Sequence, residues 1–194
     1  EISLGLVGSE MCIRDRLDMA LEREDDRILY LMQDMREFEP GEKVSAVVSA
    51  CDSINYILEP EDLQAVFFCV SESLKEGGIF IFDINTPYKY EVLMADNTIA
   101  ENRDEGSFIW DNYYDADEKI NEYDLTLFIK EQSEDEDDIY KKFEETHFQR
   151  CYEISELKEL LEQSGLVFDA VYDAYTDDQV KCDSEKVTVI AHKA

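Results

Sequence analysis

Residues 59 to 85, EPEDLQAVFFCVSESLKEGGIFIFDIN, restrict the fold more than any other stretch of the chain. Pro60 suits a first helical turn, and Glu61 and Asp62 favour the positive end of the helix dipole. Leu63, Val66, Phe67, Val70 and Leu74 then recur on one face, and Lys75 with Gly77 marks the stop. GGIFIFDIN follows at once as a strand, apolar on both faces, which predicts a central position covered on both sides. Upstream, SAVVSA (Ser45 to Ala50) reads as a buried strand, and RILYLM (Arg27 to Met32) as another, preceded by the end of a helix in LDMALERE. Strand, loop, strand, helix, strand at this spacing predicts an α/β unit with a parallel sheet.

The pattern then changes. SFIWDNYYD, NEYDLTLFIKE and DIYKKFEETHFQRCY are three β-rich segments with no helix between them, which predicts an antiparallel meander inserted into the α/β unit. The acidic run EQSEDEDD between the last two reads as a solvated turn. ISELKELLEQSG restores the helical period, with Ser155 as the expected N-cap and Gly165 as the stop. LVFDAVYDAY and KVTVIAHKA close the chain as two strands, a terminal hairpin that makes the sheet mixed.

At 194 residues this is one domain's worth of chain, long enough to bury a core. Its 48 acidic and 18 basic residues give a formal net charge of −30, with no basic stripe, so nucleic acid and anionic membrane are poor partners. Five cysteines without a CxxC pair, and two distant histidines, assemble no zinc pattern. The odd cysteine count fits reduced thiols in a cytoplasm, and no apolar run reaches the roughly 20 residues that span a bilayer.

In an open α/β sheet, ligands sit beyond the carboxyl ends of the central strands. Three loops leave such ends: QDMREF, CDSINYI and DINTPYKY. Asp34, Asp52, Ser53, Asn55, Asp83 and Asn85 would converge there, although each residue alone is also a common turn former.

The run VSAVVSACDSINYILEPEDLQAVFFCVSESLKEGGIFIFDINTPYKYE resembles the class I S-adenosylmethionine-dependent methyltransferases. IWDNYYD, LTLFIKE and FEETHFQRCYEISELKELLEQSGL are similar to the inserted β-lid and following helix of a small bacterial group of these enzymes. The resemblance covers residues 17 to 193 and implies a Rossmann-like methyltransferase sheet, with residues 106 to 151 as the lid. It implies S-adenosylmethionine as cofactor, held through Asp34 and Met35 at the adenine and through Cys51, Asp52 and Ser53 near the methionine part. Asp34 has a rival reading as a cap of its own loop. A small-molecule methyl acceptor would be lined by Asn55, Tyr56, Asp83, Asn85, Tyr88, Tyr113, Tyr114, His147 and Arg150, with no single catalytic residue assigned.

The family's opening strand, glycine loop and ribose-binding acidic residue have no counterpart here, so the first βαβ unit is expected to be missing. SLGLVGSEMCIRDR (residues 3 to 16) resembles a peptide translated from sequencing-adapter DNA, and residues 1 to 16 are therefore expected to be foreign; the alternative is a genuine short strand, since ISLGLV is β-compatible. A chain so shortened is expected to bind the cofactor weakly and to leave strands exposed. The competing reading is a non-catalytic acidic module that presents its β-insertion to a protein partner.

Overall fold

The computed structural model describes residues 27–131 and 138–194, together with the backbone pairing of Ile2–Ser3 (β1). The helix expected over LDMALERE lies outside the described residues, and of residues 1 to 16, expected to be foreign, only Ile2–Ser3 is described.

Two sheets and two helices carry the structure. The first sheet has the order β3-β4-β10-β9, built from Val44–Ser49 (β3), Leu74–Asn85 (β4), Leu166–Asp173 (β9) and Lys186–Lys193 (β10). β3 and β4 run parallel, joined by helix α1 (Pro60–Ser73), as the 59–85 stretch requires. β10 is antiparallel to both β4 and β9, so three of the four strands point one way and the C-terminal hairpin makes the sheet mixed. The register sets Lys186 opposite Asn85, at the carboxyl end of β4.

Alternation along β4 sends Phe80, Phe82 and Ile84 to one face, where they meet Leu63, Val66, Phe67 and Val70 of α1. Phe67, Phe80 and Phe82 form a ring cluster with centroids 4.7 to 5.9 Å apart. Helix α2 (Ile154–Gln163) adds Leu157 and Leu161 to the same core. The opposite face is less covered: Val48 is 63% and Ile79 44% exposed, so β4 is central in the sheet but not buried on both sides. SAVVSA likewise forms its strand as an outer strand, not a fully buried one.

RILYLM departs further from expectation. Only Tyr30–Leu31 (β2) is a strand, paired in parallel with β1 and separate from the four-stranded sheet, with Leu29 and Met32 exposed. Helix α2 begins two residues earlier than predicted, with Glu153 rather than Ser155 at the N-cap. Gly165 does end that helix, at φ 79°, a left-handed conformation that favours glycine.

Gly106–Asp115 (β6), Ile120–Lys130 (β7) and Tyr140–Arg150 (β8) form the expected three-stranded antiparallel meander, and Thr98–Arg103 (β5), outside the three expected segments, adds a fourth strand on its edge, in order β5-β6-β7-β8. A six-residue π-helical turn, Lys89–Met94, joins β4 to it. Cross-strand registry puts Asn112 opposite Tyr123 and Tyr123 opposite His147, with Asn121 opposite Gln149. These side chains share the face that meets the α/β core through Tyr56, Asn85 and Tyr90. Among the described residues, no helix is long and apolar enough to cross a membrane.

Candidate active site

A cleft of about 630 Å³ lies along β3 and its carboxyl end. Met35, Phe38, Val47, Val66 and Val70 give it apolar walls, and Cys51 and Ser53 stand at its polar end. The volume falls in the range of sites for small organic cofactors, roughly 300 to 1,000 Å³. Just beyond β3, after Ala50, come two consecutive non-glycine residues in the left-handed region, Cys51 at φ 61° and Asp52 at φ 52°. Such backbone costs free energy and persists only where surrounding contacts hold it. Here the Asp52 N–H donates to Asp83 Oδ2 at 3.1 Å, and Ser53 Oγ donates to the Ala50 carbonyl at 2.7 Å.

Beside the cleft's polar end lies a buried charged network. Lys186 Nζ donates to Asp52 Oδ1 and lies 2.8 Å from both that oxygen and Asp83 Oδ2. Gln149 Nε2 donates to Asp52 Oδ2 at 2.7 Å, and the Tyr175 hydroxyl donates to Asp83 Oδ2 at 2.8 Å. Burial works to raise the Asp52 carboxyl's pKa, but Lys186 and Gln149 outweigh it and hold the group below its ordinary range. Burial likewise opposes the charge on Lys186, yet Asp52 and Asp83 outweigh it and hold the ammonium above its ordinary range. Lys89 shows the reverse balance: burial wins over the nearby carboxylates and lowers it. Its Nζ donates to Asn85 Oδ1 at 2.9 Å.

The amides around this network are clamps. Asn55, fully buried, donates to the Arg150 carbonyl at 2.8 Å and accepts from the Asn85 N–H at 2.9 Å, tying β8 to the end of β4. Asn85 and Tyr90 both donate to Gln149 Oε1, and burial pushes the Tyr90 phenol well above its ordinary pKa.

The sequence candidates therefore divide. Met35, Cys51 and Ser53 line the cleft. Asp52, Asn55, Asp83 and Asn85 meet in the polar network. Tyr56 hydrogen-bonds Tyr123, and His147 stacks on Tyr123 with ring centroids 4.9 Å apart while its Nε2 meets Glu145 at 3.0 Å. Tyr114 stacks on Tyr90, and burial raises its phenol. Arg150 grips the Leu58 carbonyl and Glu156, acting as a fastener between β8 and α2. Tyr88 takes no hydrogen bond in the network, and Tyr113 points to the outer face of the meander, 58% exposed.

Asp34 is outside the cleft lining. Arg36 holds it: the Arg36 backbone N–H and Nε donate to Oδ1 at 2.9 and 3.0 Å, and the second guanidinium nitrogen donates to Oδ2 at 2.8 Å. The Arg36 hydrogen bonds keep its carboxyl below the ordinary range. It caps its own turn, the rival reading of this residue.

Lys186, Gln149, Tyr175, Lys89 and Tyr90 escaped the sequence reading. The available signal was slight: Lys186 is a charged residue opening the otherwise apolar run VTVIA.

A parallel strand pair with a connecting helix, a left-handed loop beyond the strand end and a cleft beside it form the arrangement in which α/β sheets place their ligands. Comparison with known proteins carries this further. No protein-family model matches the chain. YqeM of Bacillus subtilis (strain 168), a candidate methyltransferase, is 32% identical over 168 residues, covering 86% of this chain and 66% of that protein. The candidate methyltransferase GWCH70_2453 of Geobacillus sp. (strain WCH70) is 31% identical over 172 residues, covering 89% of this chain and 68% of that protein. The chain thus spans about two thirds of the length of these curated relatives. A shorter match, 34% identical over 86 residues, covers 44% of this chain and 35% of a dTDP-3-amino-3,4,6-trideoxy-α-D-glucopyranose N,N-dimethyltransferase from Streptomyces venezuelae. Among solved structures, an S-adenosylmethionine-dependent methyltransferase from Clostridium acetobutylicum superposes with a TM-score of 0.86 at 24% identity, over 100% of this chain and 76% of that one. The chain belongs to the class I S-adenosylmethionine-dependent methyltransferases.

Proposed function

We propose that the protein carrying this chain transfers a methyl group from S-adenosylmethionine to a small-molecule acceptor. The observation that carries this reading is the junction at Cys51–Ser53. There an apolar-walled cleft ends within one residue of a buried network of two carboxylates, a lysine and three amides. Met35 and Phe38 suit the faces of an adenine ring, and Cys51 and Ser53 the amino-acid part of the cofactor. The cofactor supplies an electrophilic methyl on a sulfonium. The protein's task is then to orient the two partners and exclude water, which is what a rigid, hydrogen-bonded network beside the cleft provides. Residues 106 to 151 act in this reading as a lid, whose inner face of Asn121, Tyr123, His147 and Gln149 closes over the acceptor.

A small acceptor is supported by the network's tight packing and by the similarity to the dimethyltransferase, whose own name specifies a sugar nucleotide. A net charge of −30 argues against nucleic acid. Free cysteines at Cys51, Cys69, Cys151 and Cys182 support a reducing, cytoplasmic setting. The test is an assay with methyl-tritiated S-adenosylmethionine and a panel of small amines, alcohols and carboxylic acids. It is run on this chain and on the chain extended to the length of its relatives. Label in a small-molecule product is the expected result. Label found only in added protein or nucleic acid would overturn the reading.

A further inference from the structure

Asp83 is the most deeply buried carboxylate beside the cleft, 1% exposed, and its two oxygens differ sharply. Oδ2 meets three donors: the Asp52 N–H, the Lys186 ammonium and the Tyr175 hydroxyl. Oδ1 is buried with no hydrogen-bond partner among the described residues. A bare buried carboxylate oxygen is unfavourable unless a donor meets it at some stage of the protein's working cycle.

The local charge says which kind of donor. Asp52 and Asp83 share the single ammonium of Lys186, so this contact group carries one negative charge in excess. Lys89 does not cancel it by contact: its Nζ donates to the Asn85 amide, and no ion pair of Lys89 occurs among the described residues. A cationic nitrogen at Oδ1 would complete both the hydrogen bonding and the charge, whereas a hydroxyl would complete only the first.

Tyr175 supplies the route. The residue is 66% exposed, lies just after β9 and holds φ 54°, a left-handed conformation disfavoured for tyrosine. Its phenol nevertheless reaches inward to Asp83, beside the main chain of Cys51. An exposed side chain thus ends on a buried carboxylate at the polar end of the cleft.

We infer that the methyl acceptor is a primary or secondary amine, that Asp83 Oδ1 receives its N–H, and that Tyr175, bonded to the neighbouring Oδ2, is the removable cover of this carboxylate. This rests on the methyl-transfer reading of the cleft. The amine enters as an ammonium and pairs with Asp83, to which it gives up its proton. The freed nitrogen lone pair forms the bond to the methyl carbon as the carbon–sulfur bond breaks, its electron pair remaining on sulfur. Lys186 and the Asp52 N–H hold Oδ2 throughout, and the proton leaves Oδ1 for solvent when Tyr175 is displaced.

The test needs no methyl donor. Methylammonium chloride is titrated into the full chain carrying carbon-13 in its tyrosine rings, with the Tyr175 signal assigned by its loss in Tyr175→Phe. A saturable shift of that signal, absent in Asp83→Asn, is the expected result. In Tyr175→Phe, followed at the Asp52 amide, methylammonium should bind roughly fivefold more tightly because the carboxylate loses one of its Oδ2 donors and keeps more of its charge for a cation at Oδ1. This variant leaves the charged network in place, so it decides the question even if Asp83→Asn fails to fold. Absence of a saturable shift, unchanged affinity in Tyr175→Phe, or an equal response to tetramethylammonium or methanol would each overturn the proposal. Binding of S-adenosylhomocysteine in the cleft is measured separately. It can succeed while the amine site fails, or fail while the amine site stands.

Discussion

Replacing Lys186 with methionine keeps the length and apolar stem of the side chain but removes the cation shared by Asp52 and Asp83. Removing one partner of a buried ion pair costs roughly 3 to 5 kcal/mol, because the remaining charge stays buried. Asp83 is 1% exposed and loses an ammonium at 2.8 Å, whereas the Asp52 side chain is 25% exposed and keeps Gln149 at 2.7 Å. The low end therefore applies, about 3 kcal/mol, or about 1 M in urea midpoint for a slope near 3 kcal/mol/M. The sign with pH follows from the two shifts. Asp52 is depressed, so its contribution is complete above the unfolded carboxylate value near ~4 and is lost as pH falls through the lower folded value. Lys186 is raised, so its contribution is complete below the unfolded value near ~10.4 and is lost as pH rises through the higher folded value. The wild-type network is thus at full strength between these limits. In Lys186→Met the two carboxylates face each other without a cation, and protonation relieves them. Urea titrations of both proteins at neutral pH and near pH ~4 should show a large deficit that shrinks on acidification. A neutral-pH deficit below about 0.5 kcal/mol, or one that does not shrink, would refute the reasoning.

Asn55→Ala should cost about 2 to 4 kcal/mol in a thermal or urea melt, since it strands the buried Asn85 N–H and the Arg150 carbonyl together. Phe67→Ala removes the central ring of the core cluster and should cost about 3 to 5 kcal/mol by the same measurement. Arg36→Gln breaks two partly exposed pairs, with Asp34 and Asp62, and should change stability by less than about 1 kcal/mol. A larger loss there would mean that this turn is held by more than surface charge.

What could be read from the sequence followed periodicity. Helix α1, β4, the meander and the C-terminal hairpin each carry a repeating pattern that a few residues reveal. RILYLM carried no such pattern, only an apolar run, and its β-propensity yielded two strand residues, paired with β1 and not with the four-stranded sheet of β3, β4, β10 and β9. Ser155 is a good N-cap by type, but Glu153 takes the position. Asp34 illustrates a local competitor: Arg36, two residues on, captures its carboxylate before any ligand is considered. The strand-end candidates Asp52, Asn55, Asp83 and Asn85 were legible because topology alone gathers strand ends. Their partners were not. Lys186 lies 134 residues from Asp52 and Gln149 lies 97 away, and only the register of β10 on β4 and of β8 on β7 brings them in.

The central claim is that the cleft bounded by Met35, Phe38, Cys51 and Ser53 receives S-adenosylmethionine. Ultraviolet photolabelling with methyl-tritiated S-adenosylmethionine, followed by peptide mapping, tests it even where binding is weak. Label should fall within residues 33–53 and be displaced by unlabelled S-adenosylhomocysteine. Label confined to the meander, or label that S-adenosylhomocysteine does not displace, would contradict it.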